Sequence, residues 1–234
     1  MYSFTNRVRY SEVDINRQLD LAGIINYFQD CTTFQSEDLH VGIDYMNEVK
    51  RAWMLSSWQI IVNRNPIFGE SITTSTWAYD FDSMFGYRNF TLTDESNEIC
   101  AYANSIWILV DLDTGHPVKL DEKITSAYPL KDRIDMDYAP RKIKIPSELQ
   151  EGQPIIVASS FLDTNNHVNN GQYIKIAEEL LPEDFITHEL RADYRTSALL
   201  GDTIIPKYTI SDKECIVTLC MPNGKPYAII QFIA

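Results

Sequence analysis

A short motif occurs twice in this chain, and the repetition restricts the fold more than any other feature. One copy reads Asp163-Thr164-Asn165-Asn166-His167-Val168-Asn169-Asn170, the other Asp14-Ile15-Asn16-Arg17-Gln18-Leu19-Asp20. Asp163, Asn165 and His167 answer to Asp14, Asn16 and Gln18 at a constant separation of 149 positions. Each copy runs into a helix-like stretch, so one fold element has been used twice. Only the second copy carries a histidine.

The surroundings of the two copies follow one order. The first lies between a strand-like run at 4–10 and a segment at 19–39, where Leu21, Ile24, Ile25, Phe28 and Thr32 recur at helical spacing. Gly42 stands where such a helix would stop. Four β-like runs follow, at 53–63, 71–82, 87–94 and 98–111, with turn residues between them. The second copy sits between a strand at 155–160 and a helix at 168–181 closed by Pro182. Strands at 189–196, 203–211, 215–221 and 227–233 come next, the last two joined by the turn Pro222-Asn223-Gly224-Lys225. A second anchor supports the repeat: Gly69-Glu70-Ser71-Ile72 matches Gly201-Asp202-Thr203-Ile204, at a separation of 132. Between the halves, residues 119–150 with Pro129, Pro140 and Pro146 read as a crossing linker. The expectation is an α+β protein in which an antiparallel sheet packs on a helix twice, in domains 1–118 and 151–234.

Composition narrows the function. A net charge of −13 argues against nucleic acid as a partner. No run of about 18 apolar residues exists to span a membrane, and MYSFTNRVRY lacks the charged head and apolar stretch of a signal peptide. A cytoplasmic protein that does not insert into membrane is the expectation. Cys31, Cys100, Cys215 and Cys220 form no CxxC pair and are expected as reduced, mostly buried thiols. His40, His116, His167 and His188 offer no ligand cluster, so neither metal nor organic cofactor is implied. The densest basic segment is 131–144, either a solvated linker or a docking surface for an acidic partner.

The tract Asp163-x-Asn165-x-His167-Val168-Asn169-Asn170-x-x-Tyr173 resembles the active-site signature of the acyl-acyl carrier protein thioesterases. Their chains hold two hotdog folds, each a sheet wrapped around a long helix. Arg51-Ala52-Trp53-Met54-Leu55-Ser56, Pro66-x-x-Gly69-Glu70, Phe85-Gly86-Tyr87-Arg88-Asn89-Phe90 and Ala101-x-Ala103-x-Ser105-x-Trp107 extend the resemblance across the first half. It implies a hydrolase acting on fatty acyl chains held by acyl carrier protein. It further implies that Asp163, Asn165 and His167 are active-site residues, and that the acyl chain runs between helix and sheet in the N-terminal half. Trp53, Met54, Ser56, Trp77 and Phe81 are the candidate lining. The family's glutamate, four residues before its Gly-Asp pair, is Ser197 here, and Ala198 stands where plant members have a cysteine. Either the glutamate is dispensable, or Asp193 substitutes, or catalysis is weakened.

The residue chemistry agrees with such a reaction. A thiolate leaves readily, so thioester hydrolysis needs an activated water and a stabilised oxyanion more than a strong acid. His167 is suited to general-base work. Asn165 can orient the water or donate to the carbonyl oxygen. The N-terminus of the helix starting near Val168 offers a further oxyanion site. Asp163 can shape the turn or fix the imidazole, and Ser197 can hold a water. Because Asp14 and Asn16 persist where the histidine is absent, part of the Asp-x-Asn role is structural. Two other functions share the fold: hydrolysis of acyl-CoA, and acyl-thioester binding without catalysis. The halves are expected to pair as a pseudo-dimer, and a homodimer of whole chains is left open.

Overall fold

Local sequence sets the first unit, which comprises Met1–Ser56 and Asn63–Ala139 of the computed structural model describing residues 1–234. It runs β1 (Tyr2–Arg7), α1 (Leu21–Asp38), α2 (Ile43–Glu48), β2 (Arg51–Val62), β3 (Ser71–Asp82), β4 (Phe85–Asp94), β5 (Ile99–Asp111) and α3 (Glu122–Ala127). Strands β1, β3, β4 and β5 pair antiparallel, with Phe4 opposite Thr74, Thr74 opposite Leu92 and Leu92 opposite Ala101. Asp20 starts α1 by accepting the Gly23 N–H, a side-chain cap that satisfies one otherwise orphaned donor. The helix then buries Leu21, Ile24, Ile25, Phe28, Cys31 and Gln35, one stripe at three- and four-residue spacing. That stripe meets the sheet: the Phe28 and Phe90 ring centroids lie 5.1 Å apart, and the Cys31 thiol donates to the Thr74 carbonyl. Burial of Ile24, Ile25 and Phe28 contributes roughly 1.5–3 kcal/mol each.

A bulge decides which β3 side chains face the helix. The register shifts between Ala78 and Asp80, so that Ala78 lies opposite Arg88 and Phe81 opposite Gly86. Ala78 and Phe81 therefore share the helix-facing side. Val41, Met46, Ala78, Leu109, Ile124 and Tyr128 form a cluster there under α2 and α3, with Trp53 and Phe81 packed against it. Neither short helix is anticipated by the sequence reading, and Gly42 caps α2 rather than merely ending α1. On the opposite side of the sheet, part of the expected linker is pinned down. Trp77 Nε1 donates to the Asp132 carbonyl at 2.9 Å, and Asn89 Oδ1 accepts from Ile134 N and the Tyr138 hydroxyl.

The second unit takes residues Ser57–Val62 of β2 together with Pro140–Ala234, so the expected linker is shared between the units. Its further elements are β6 (Gln150–Glu151), β7 (Ile155–Ile156), α4 (Asn170–Glu178), β8 (Glu189–Tyr194), β9 (Thr203–Ile210), β10 (Glu214–Cys220) and β11 (Pro226–Ile233). The antiparallel order is β2-β8-β11-β10-β9-β6, with β7 also on β9. Helix α4 is shorter than the 168–181 expected, and the strand expected at 155–160 stops after two residues. A 3-10 turn, Ser159–Phe161, takes over there and matches Tyr10–Glu12 in the first unit. Ile143 lies against Ile216 and Ile229 on one face of the sheet. Tyr194 reaches the other face, where its hydroxyl donates to the Asn170 carbonyl of α4. All four cysteines are buried free thiols. No helix is long and apolar enough to cross a membrane.

Candidate active site

The two motif copies fold into turns of the same kind, built on matching bonds from aspartate to backbone. In the second unit, Asp163 Oδ1 accepts the N–H of Asn165 at 2.8 Å and of His167 at 3.1 Å. In the first, Asp14 Oδ1 accepts the N–H of Asn16 at 2.9 Å and of Gln18 at 2.8 Å. Asp163 N donates to the His167 carbonyl, and Asp14 N to that of Gln18. The residue at the tip takes a left-handed conformation in both, Asn166 at φ 60° and Arg17 at φ 62°. Such a φ is costly for most side chains and persists because the flanking bonds over-determine it.

The next layer repeats as well. Val168 N donates to the Ala198 carbonyl as Leu19 N does to Pro66, and Asn169 N to Phe161 as Asp20 N does to Glu12. Gly201 and Gly69 both sit at φ 83°, with N–H groups on Val157 and Val8 respectively. The Asp-x-Asn pattern is thus a turn-forming device. Its carboxylate fixes backbone, and no hydrogen bond joins Asp163 to the imidazole.

What differs is the side chain that the turn presents. His167 is half-buried and its main chain is held at both N–H and C=O. Asn165 is exposed two residues before it. Ser197 is half-buried and immediately precedes Ala198, whose carbonyl holds Val168 and whose N–H donates to the Tyr173 hydroxyl at 2.8 Å. Ser197, expected to answer to the family's glutamate, is therefore tied through Ala198 to the turn that carries His167. Tyr173, whose hydroxyl burial pushes up to about 12, stacks edge-on against Tyr194 and stays a neutral donor-acceptor. Its hydroxyl ties α4 to the backbone at Ala198, a role that its place in the motif hints at and its residue type does not.

Two sequence expectations meet a different geometry. Asp193 is fully buried on the sheet face away from Tyr194 and α4. Its Oδ2 accepts from Ile143 N and Arg195 Nη2, and burial raises its pKa. Strand alternation thus turns Asp193 from the motif, and it does not stand in for the glutamate. The N-terminus of α4 is also less open than expected, because Asn169 Oδ1 accepts the Gly171 N–H and the Asn169 carbonyl takes that of Gln172.

The candidate acyl lining divides. Trp53 and Phe81 converge on Gly86, where a Cβ would meet the Trp53 ring at 3.2 Å and the Phe81 ring at 3.3 Å. Glycine there leaves room for both rings. Trp77 faces the other side of the sheet, toward Asp132, and alternation along β2 sets Met54 and Ser56 opposite Trp53. A residue missed by the sequence reading sits beside the Trp53–Phe81 pair: Arg88, only 5% exposed, with no acidic partner. Its Nη2 donates to Gln35 Oε1, its Cζ lies 5.2 Å from the Tyr128 centroid, and its Nε has no acceptor. Burial lowers its pKa to about 10. Elsewhere Glu70, Asp94 and Cys100 come within 4.8 Å of one another, but both carboxylates already accept from Arg64. A fixed guanidinium occupies the position a cation would take.

Sequence models described as "Acyl-ACP thioesterase N-terminal domain" and "Acyl-ACP thioesterase C-terminal domain" match residues 1–128 and 146–216. Oleoyl-acyl carrier protein thioesterase 1, chloroplastic, from Arabidopsis thaliana is 24% identical over 218 residues, 84% of this chain and 60% of that relative's length. This chain therefore spans less than two thirds of it. An acyl-ACP thioesterase structure from Bacteroides thetaiotaomicron superposes with a TM-score of 0.90 at 23% identity, covering 99% of this chain and 96% of that one. The 12:0-ACP thioesterase from Umbellularia californica gives 0.86 at 18% identity, with the same two coverages of 99% and 96%. These likenesses fix the fold as a tandem hotdog.

Proposed function

The chain belongs to the acyl-acyl carrier protein thioesterase family, and on that premise we propose that it hydrolyses fatty acyl thioesters of acyl carrier protein. The observation that carries the reading is an asymmetry between two turns that share their backbone bonds. Both hold their backbone through an aspartate, yet one presents Gln18 and the other an imidazole, His167. A scaffold that tolerates glutamine does not need histidine for folding.

In this reaction His167 takes a proton from water as the oxygen attacks the thioester carbonyl. The oxyanion of the tetrahedral intermediate accepts from the Asn165 amide, since the first N–H groups of α4 are engaged. Collapse breaks the C–S bond, and the imidazolium returns the proton to the departing thiolate. Asp163 acts through the backbone of His167 as a positioning residue. Ser197 places a hydroxyl, rather than a carboxylate, for a water beside the motif. Trp53 and Phe81 lie on the helix-facing side of the first sheet, where an acyl chain would be sheltered.

The test is thiol release from matched acyl-carrier-protein and acyl-CoA substrates, with His167→Gln beside wild type. That substitution installs the residue the sister turn already accepts. It is expected to lower kcat by about 100-fold or more, with thermal melting unchanged. Equal rates on both donors would defeat the preference for carrier protein. Full activity in His167→Gln would remove the histidine from the mechanism.

A further inference from the structure

The turn without a histidine carries a surface its sister lacks. Around Asp14–Gln18, Ile15 is 96% exposed and Tyr10 79%, with Ile67 at 56% and Phe68 at 47% beside them. Tyr10 and Phe68 rings meet edge-on at 5.8 Å, and Phe68 N donates to the Arg17 carbonyl, which joins the four into one patch. Large apolar side chains displayed together usually mark an interaction surface.

The second unit supplies an internal control for whether the fold requires them. At the positions equivalent to Arg9, Tyr10, Ile15 and Arg17 it has Ala158, Ser159, Thr164 and Asn166, on the same hydrogen-bonded scaffold. The pair before the glycine is apolar in both units, Ile67-Phe68 and Leu199-Leu200, so that part is common to the turn. The apolar tip and its arginines are particular to the first. Neither is needed to make the turn, and an isoleucine locked at the tip by the Asp14 bonds has no route back to the core.

Charge narrows the partner. The chain carries −13 overall, yet Arg17 has no ion pair here, and Arg9 stays exposed although it pairs with Glu12 at 3.4 Å. The acids of the patch are occupied: Glu12 accepts from Arg9 N and the Tyr27 hydroxyl, and Asp14 from backbone. A symmetric dimer through this patch would set arginines against arginines. Carrier-protein docking at this patch is the competing reading, and the KM for that substrate tests it. An aromatic and an isoleucine on a convex tip, flanked by arginines, suit the interface of an anionic bilayer.

We propose that the turn at Asp14–Gln18 is a peripheral contact for anionic lipid membrane, with Ile15 and Tyr10 entering the headgroup region and Arg9 and Arg17 meeting lipid phosphate. The proposal gains a reason from the proposed activity, because a released fatty acid partitions into bilayers, but its test does not depend on turnover. The full chain is floated with phosphatidylcholine vesicles with and without phosphatidylglycerol, beside a variant carrying Tyr10→Ser, Ile15→Thr and Arg17→Asn. Those are the sister turn's residues, so the fold is expected to hold, as read by melting. Wild type is expected to float with anionic vesicles despite its negative charge and to be released by raised salt. Arg17→Asn alone is expected to weaken partitioning roughly fivefold, and the triple variant to abolish it. Wild type that stays in solution, or a triple variant that floats equally, overturns the proposal. So does a sedimentation shift showing that the triple variant breaks a dimer, or a KM for carrier-protein substrate that rises with it.

Discussion

Asp163 offers the sharpest separation of architecture from chemistry. Its Oδ1 receives two backbone N–H groups, at 2.8 and 3.1 Å, and one of them belongs to His167. Each such bond contributes about 0.5–1.5 kcal/mol net, so Asp163→Ala is expected to cost about 1–3 kcal/mol. For a chain of this size that lowers Tm by about 2–12 °C. Asp163→Asn keeps an acceptor oxygen and the turn, and is expected to cost under about 1 kcal/mol. If the carboxylate acts only through the backbone, the asparagine variant retains kcat/KM within about tenfold, whereas the alanine variant loses about 100-fold as His167 is released from its position. Asp14→Ala, which removes the bonds at 2.9 and 2.8 Å from the sister turn, is expected to cost similar stability and leave kcat/KM near wild type. The assay is thiol release alongside urea melts on all three variants. An asparagine variant that melts like wild type yet is as inactive as the alanine variant refutes the positioning role. So does a loss of activity in Asp14→Ala equal to that in Asp163→Ala.

Other outcomes follow from the same geometry. Ser197→Glu restores a carboxylate one residue before Ala198 and is expected to raise kcat by about tenfold; unchanged or lower turnover would show that the hydroxyl suffices. Arg88 has a folded pKa depressed to about 10, so its charge burdens the fold at every pH below that value, and the burden fades only as pH rises toward the unfolded pKa. Arg88→Met combined with Gln35→Leu is expected to gain about 1–3 kcal/mol at neutral pH, measured by urea midpoint, and a loss of stability would count against it. Glu70 and Asp94 are held below the usual carboxylate range by Arg64. Their stabilisation is present above the unfolded carboxylate pKa and lost as pH falls through the folded one. Arg64→Met is thus expected to destabilise the fold modestly at neutral pH and almost not at all in acid. An equal cost at both pH values would assign the effect to packing instead.

The duplication was legible because a turn of this kind demands an aspartate at one fixed place, and Asp14 and Asp163 announce it. Helix α1 was legible from its buried stripe, and β3 ended where alternation and turn residues placed it. Short helices α2 and α3 escaped notice, since six residues are too few to express a period. The run 155–160 read as a strand from its apolar start, but the motif needs a 3-10 turn before it. The bulge at Tyr79 was invisible, so Trp77 and Phe81 were grouped although they face opposite sides. Arg88 was hidden for a similar reason: an arginine in a strand gives no local sign that it will be buried under a helix.

The paired turns also give the molecule its own reference standard. Four amides, at Asn16, Gln18, Asn165 and His167, are each bonded to an aspartate oxygen in matching surroundings. In a proton-exchange or NMR experiment at fixed pH and salt, temperature acts on both pairs alike, whereas a ligand seated at His167 acts on one. The difference between the two pairs therefore reports occupancy alone, with the correction for conditions measured inside the same chain.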